Sequence, residues 1–168
     1  MLEITFEIHL LVDGNLVQVP ETILQSEVSK YSRLIKQQRS LEGILRIKMS
    51  EQGEIELADD LSSLTQRLCF GAIPKLTESF SSSFTYDFFS QDERLVVTPE
   101  NEGVKLFVEE EPELVIPKTD FITALFNCGN RFLDLLEKFG NDFQQLLEYL
   151  KPFGEKARPY VDRVNSSH

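Results

Sequence analysis

The chain has no tryptophan, and only two histidines, two cysteines and two methionines among 168 residues. Nucleophilic catalysis needs a base within reach of the nucleophile, most often histidine, and only His9 and His168 could supply one. His168 is the terminal residue and is expected to be mobile. His9 falls on the polar face of a strand and reads as an ordinary surface histidine. Cys69 and Cys128 are too few and too far apart for a disulfide framework or a metal knuckle. They read as small buried apolar residues. The eight glycines form neither a phosphate loop nor a dinucleotide fingerprint. The serine-rich "SSSF" lacks the glycines of a nucleophile elbow. No catalytic residue and no cofactor site is identified.

No apolar run approaches the roughly 18 residues of a membrane-spanning helix. The opening "MLEITFEIHLLVDG" has no basic region ahead of a long apolar stretch, so it does not read as a signal peptide. A cytoplasmic location is the expectation. Positive charge is also scarce: 17 Lys and Arg stand against 28 Asp and Glu, a net charge of −11 with pI near 4.7. That balance disfavours nucleic acid, which selects a basic footprint, and anionic lipid. It favours, at long range, a basic partner.

What is abundant is phenylalanine, 13 residues, which supplies the bulk of a core. Leu2, Ile4, Phe6, Ile8 and Leu10 alternate with Glu3, Thr5, Glu7 and His9, the pattern of a half-buried strand. Asp13-Gly14 predicts a hairpin turn, Leu16 to Val19 the returning strand, and Pro20 its end. Ile23, Leu24, Val28, Tyr31, Leu34 and Ile35 are spaced for a helix over 21–37. A second strand pair, Gly43–Met49 and Glu54–Leu57, leads to a helix capped by Asp59 or Asp60, ended or kinked at Gly71 and Pro74. The polar stretch Ser79–Phe84 is a short punctuation. Then come Phe84–Phe89, Arg94–Val97, Val104–Val108 and Glu113–Ile116, strands separated by turns. The longest helix runs from a cap at Thr119 to Gly140. A shorter one opens at Asn141 or Asp142 and stops near Pro152.

The order β-β-α-β-β-α-β-β-β-α-α, with hairpin-length turns, gives an α+β class: an antiparallel sheet of about six to eight strands with helices packed over one face. Residues 1–150 read as a single domain, and 151–168 as a partly ordered C-terminal tail.

Charge is regional. Between Phe84 and Asp120 stand ten acids (Asp87, Asp92, Glu93, Glu100, Glu102, Glu109, Glu110, Glu111, Glu113 and Asp120) against three bases, Arg94, Lys105 and Lys118. A metal site is not expected among them. Successive residues of an extended chain point to opposite faces, Pro112 bends the run, and the spacing is not that of a calcium loop. No second acid is tied to these by sequence in the way a two-carboxylate hydrolase requires. The bland use of such acids is to solubilise turns and guard sheet edges. The sharper one is an acidic face for a basic protein partner, with Glu100, Glu102, Glu109, Glu110, Glu111 and Glu113 as its residues.

A small acidic α+β chain without a catalytic constellation resembles immunity proteins and antitoxins, which block basic toxins by electrostatic docking. The resemblance implies a non-enzymatic inhibitor or regulator. Two other readings stand beside it. One is a small enzyme using scattered acids, with His9, Cys69 or Cys128 brought near by folding. The other is a structural or adaptor subunit joined through a sheet edge or the long helix. The sequence leaves the oligomeric state open.

Overall fold

The computed structural model describes residues 1–78, 81–89 and 92–167. His168 and part of the Ser79–Phe84 punctuation lie outside the described residues. Eight strands form two four-stranded antiparallel sheets. The first, in the order β2-β1-β3-β4, comprises β1 (Leu2–Val12), β2 (Asn15–Pro20), β3 (Glu42–Met49) and β4 (Gly53–Asp60). The second, β5-β6-β7-β8, is a meander of β5 (Phe84–Asp87), β6 (Arg94–Glu100), β7 (Gly103–Phe107) and β8 (Leu114–Pro117). The α+β class, the antiparallel pairing and the strand number are as expected. The strands divide between two sheets because the helical residues 61–77 separate the fourth strand from the fifth.

The alternation read from β1 is what the strand uses. Ile4, Phe6, Ile8 and Leu10 are buried, facing the core with Ile47 and Leu45 of β3 and Ile55 and Leu57 of β4. Between the first hairpin and β3 the expected single helix is two, α1 (Glu21–Ser26) and α2 (Val28–Lys36). Glu27 breaks them, with φ −123° and ψ 43°. Leu24 of α1 and Tyr31 and Ile35 of α2 keep the inward face that their spacing predicts, on either side of the break. After β4, Asp60 caps α3 (Leu61–Leu64) by accepting from the Ser63 amide at 3.0 Å. The helix then widens into a π-helical segment, Thr65–Phe70, before α4 (Ala72–Thr77).

Two helices of 22 residues complete the chain, α5 (Lys118–Phe139) and α6 (Gln144–Asn165). At about 1.5 Å per residue each spans roughly 33 Å. α5 starts at Lys118 with Pro117 at its N-cap, so Thr119 lies in the first turn and is not the cap. It packs on β1, on β7 and β8, and along α6, so one buried apolar cluster runs through both sheets and both helices. The segment expected to be a partly ordered tail is instead helix as far as Asn165, running through Pro152 and Pro159. An interior proline costs a helix about 3 kcal/mol through its missing N–H and the ring clash. Burial of Leu147, Leu150, Gly154, Ala157 and Val161 offsets that, and nothing in the local sequence announces it.

Three contacts fix how these layers meet. Phe70, at the end of the π segment, is 1% exposed and enters between α5 and α6 where both carry glycine. A Cβ on Gly129 would lie 2.6 Å from the Phe70 ring, and one on Gly154 3.2 Å from it. Phe126 meets the same ring edge-on, with centroids 5.9 Å apart. Arg131 of α5 reaches Glu21 at 2.5 Å and the Ile4 carbonyl at 2.6 Å, joining α5 to α1 and β1. Asp59, 1% exposed, accepts from the Tyr86 hydroxyl at 3.1 Å and the Phe89 amide at 3.0 Å, joining β4 to the β5 region. Burial pushes the Tyr86 hydroxyl well up, with Asp59 adding to the effect, so Tyr86 stays protonated and donates.

Replacing Phe70 with Ala is expected to cost about 3–5 kcal/mol, the range for emptying a buried aromatic site. Gly129→Ala, by forcing a methyl into that ring, is expected to cost about 1–3 kcal/mol. Combining Gly129→Ala with Phe70→Leu should recover part of the loss. Urea unfolding midpoints of the four proteins in that cycle check this: strictly additive costs would mean that the ring and the glycine do not share one space.

Candidate functional site

Most of the acids singled out above lie on turns of the second sheet. β7 runs between two of these turns. At one end the β6–β7 hairpin carries Glu100 and Glu102 about Asn101, whose φ is 45°. At the other, Val108 to Pro112 turns the chain into β8, with the Glu111 amide donating to the Val108 carbonyl at 3.2 Å and Glu110 at φ 67°. Five residues of strand at about 3.3 Å each separate the two groups. The structure therefore brings Glu109, Glu110, Glu111 and Glu113 together and sets Glu100 and Glu102 apart from them.

The second group is pinned against the first sheet. Gln52, in the β3–β4 turn, donates its side-chain amide to the Val115 carbonyl at 2.9 Å and accepts from the Val115 amide at 2.6 Å. One side chain thus stands in for a neighbouring strand on the edge of β8. Beside it, Pro112 sits against Gly53, where a Cβ would approach the proline ring to 3.0 Å. These contacts carry Glu111 to the border of β4, whose outward residues include Glu54 and Glu56. Partial burial, and then the charges of Glu56, Glu93 and Glu54, push the Glu111 carboxyl above its ordinary value of 4.5. Glu109, Glu110 and Glu113 are exposed.

The cations of this seam are largely committed. Arg46 of β3 lies opposite Glu56 in the sheet. It bridges Glu56 at 2.6 Å, Glu54 at 3.0 Å and Glu7 at 3.4 Å. The Glu56 bond, opposed by partial burial, holds its guanidinium even more firmly charged than usual. Lys105 meets Glu113 at 3.6 Å. Glu93, Glu109, Glu110 and Glu111 form no ion pair with a described residue. Sequence reasoning counted Glu93 among the regional acids but missed Glu54 and Glu56. They lie some fifty residues away, and only the Gln52–Val115 pairing brings them here.

The residues weighed for catalysis are placed differently. His9 donates Nε2–H to the Glu7 carboxylate at 2.9 Å, and Glu7 is itself shared with Arg46. The hollow beside His9 is lined by one carboxylate, Glu42, together with Arg39, Ser40 and apolar or amide side chains. Cys69 and Cys128 are both buried and unbridged. A hydrogen bond to Cys128, followed by burial, pushes the Cys69 thiol well up, which holds it as a neutral thiol, the unreactive form. Among the described residues no three His, Cys, Asp or Glu side chains are placed to hold a metal ion. Among the described residues no helix is long and apolar enough to cross a membrane. No protein-family model, curated protein or solved structure matches the chain.

The raised Glu111 carboxyl fixes a sign. A carboxyl that protonates more easily in the folded state weakens the fold as pH climbs from 4.5 through its raised value. Glu111→Gln is therefore expected to be slightly more stable than the parent at pH 7, by about 0.5 kcal/mol or less for a group this open to solvent. The difference should vanish below about pH 4 and shrink with salt. Thermal melts of both proteins across pH check it; a deficit of the variant at pH 7 would show that Glu111 is held by favourable contacts instead.

Proposed function

We propose that the chain is a non-enzymatic protein-binding module whose acidic seam docks a basic protein partner, in the manner of immunity proteins and antitoxins. The observation that carries the reading is the pinning of the acidic turn to the first sheet by Gln52 on Val115 and by Pro112 against Gly53, beside Glu54 and Glu56, whose charges with that of Glu93 raise the Glu111 carboxyl. Like charges repel at such a seam and are ordinarily dispersed. Here Gln52 and Pro112 hold the turn that bears Glu111 against β4, and exposed Glu109, Glu110 and Glu113 extend the surface. A complementary cationic partner would relieve that repulsion on binding, which gives the seam affinity as well as steering. Cytoplasmic residence belongs to the same proposal.

Binding is favoured over small-molecule catalysis by the state of the candidate catalytic groups. The carboxylate that meets His9 is held by an arginine, and the cysteines are enclosed. The adaptor reading does not compete for these residues, since it concerns a sheet edge or the long helix.

Because the acids fall into two groups, the proposal is directional. Reversal of Glu109, Glu110, Glu111 and Glu113 to Lys should abolish capture of the basic partner, while reversal of Glu100 and Glu102 should weaken it far less. Melting points should barely move, as exposed substitutions cost little. The association rate of the parent should fall about tenfold or more between low and high salt. A partner held equally by the seam-reversed protein, or indifferent to salt, would remove this function.

A further inference from the structure

A terminal strand of a sheet leaves a row of backbone N–H and C=O groups unpaired, and proteins ordinarily cover or guard such edges. Three of the four terminal strands here are attended. β4 borders β8, Gln52 takes both backbone groups of Val115, and Arg67 donates to the Asp87 carbonyl at the end of β5 at 3.1 Å. β2 is the fourth, and it is built differently.

Its hairpin turns at Asp13 and Gly14, with φ of 50° and 80°, the two positive values of a type I′ turn. Val12 and Asn15 close the turn, so the pairs that exchange backbone bonds are Val12 with Asn15, Leu10 with Val17, and Ile8 with Val19. Leu11 faces Leu16, and His9 faces Gln18, without doing so. Leu11 verifies this parity: its N–H and C=O turn away from β2, and the Gln38 side-chain amide takes both at 3.3 Å. By the same parity Leu16 and Gln18 turn their N–H and C=O outward, where no described residue meets them. The strand Asn15–Pro20 carries no charged residue, so it lacks the lysine that commonly guards an edge. The strand and its neighbours present open apolar side chains, Leu16 60% and Val17 38% exposed on β2, Leu11 62% and Ile23 40% beside it.

We propose that β2 pairs with β2 of a second copy of this chain, antiparallel about a twofold axis at Val17, continuing the four-stranded sheet into one of eight. The pattern is self-complementary. With Val17 opposite Val17, Leu16 of each copy faces Gln18 of the other, and those are the two residues whose backbone groups point outward. Four backbone hydrogen bonds form, and none is left half made. The Val17 pair is of the close, non-bonded kind in which side chains touch. A twofold contact closes on itself and does not propagate. No ladder position sets like charges opposite each other, so only the overall charge of −11 per copy opposes the pairing. So short an edge offers less than the roughly 800 Å² per partner of a standard interface, which makes the dimer reversible.

Sedimentation of the full chain from micromolar to millimolar concentration tests this. The expected result is a monomer–dimer equilibrium that strengthens with added salt, as the net repulsion is screened. Docking of a basic partner at the acidic seam would weaken with salt, so the two failures are distinguishable. Val17→Lys, which sets two ammonium groups across the axis, should abolish the dimer. Gln18→Pro removes an outward N–H that the hairpin does not use, and so two of the four bonds. It should raise the dissociation constant about tenfold with the hairpin intact. A chain monomeric at millimolar concentration overturns the proposal, and so does a dimer that Val17→Lys leaves unchanged.

Discussion

The arrangement depends on one steric fit, the Phe70 ring lodged where α5 and α6 both carry glycine. The ring stands at the end of the π-helical segment, and the extra residue in that turn sets its direction: the Gly71 amide donates to Gln66, five residues back, at 2.9 Å. A π turn strains the helix and is uncommon, so it persists only where packing rewards it. Here the reward is large. The ring sits against Gly129 and Gly154 and meets Phe126. Once α5 is placed by this contact, its other face meets β1, where Phe132 and Phe6 stack edge-on at 5.5 Å. Its N-terminal end follows directly from β8. The two sheets owe their common core to α5, and α5 and α6 owe their close approach to the paired glycines.

The polar joints act on what the apolar core leaves open. Arg131, Asp59 and Gln52 each connect segments distant in sequence, Arg131 and Asp59 by hydrogen bonds to both backbone and side chains and Gln52 to backbone alone. Such groups are costly if left unpaired in a buried place and nearly neutral when paired. They contribute specificity of arrangement more than net stability. Gln52 has the further effect of fixing the acidic turn. With Val115 spanned by that amide and Pro112 set against Gly53, the stretch from Glu109 to Glu113 is kept beside the β3–β4 hairpin.

Much of this architecture could be read from the residues. Strict alternation over Leu2–Leu10 and the Asp13-Gly14 turn are local signals, and local signals gave the first hairpin, the meander and the start and stop of α5 within a residue or two. What escaped was decided at a distance. The break at Glu27 leaves the apolar spacing of Leu24, Tyr31 and Ile35 intact, so that spacing does not announce it. The π segment and the helix through Pro152 and Pro159 exist because buried partners offset a local cost that propensity registers as a stop. The candidate site divides in the same way. The regional excess of acid in 84–120 is visible by counting, yet the separation of Glu100 and Glu102 from the rest needs strand register. The presence of Glu54 and Glu56 needs the junction of two sheets.

Charge and edge occupy opposite ends of the first sheet. In the order β2-β1-β3-β4, the acidic seam borders β4 and the uncharged edge is β2, three strand spacings or roughly 14 Å away across the ladder. That distance exceeds the screening length of about 8 Å at physiological salt, so the seam's field is weak at the edge. On the two proposals above, a chain of charge −11 would carry one border for a cationic surface and another for its own copy without one spoiling the other. Pairing through β2 would point the two seams outward at the far sides of an eight-stranded sheet, leaving both open. Two modest interfaces of opposite salt dependence would then reinforce each other: a dimer offers two acidic seams to a partner that itself presents more than one basic surface.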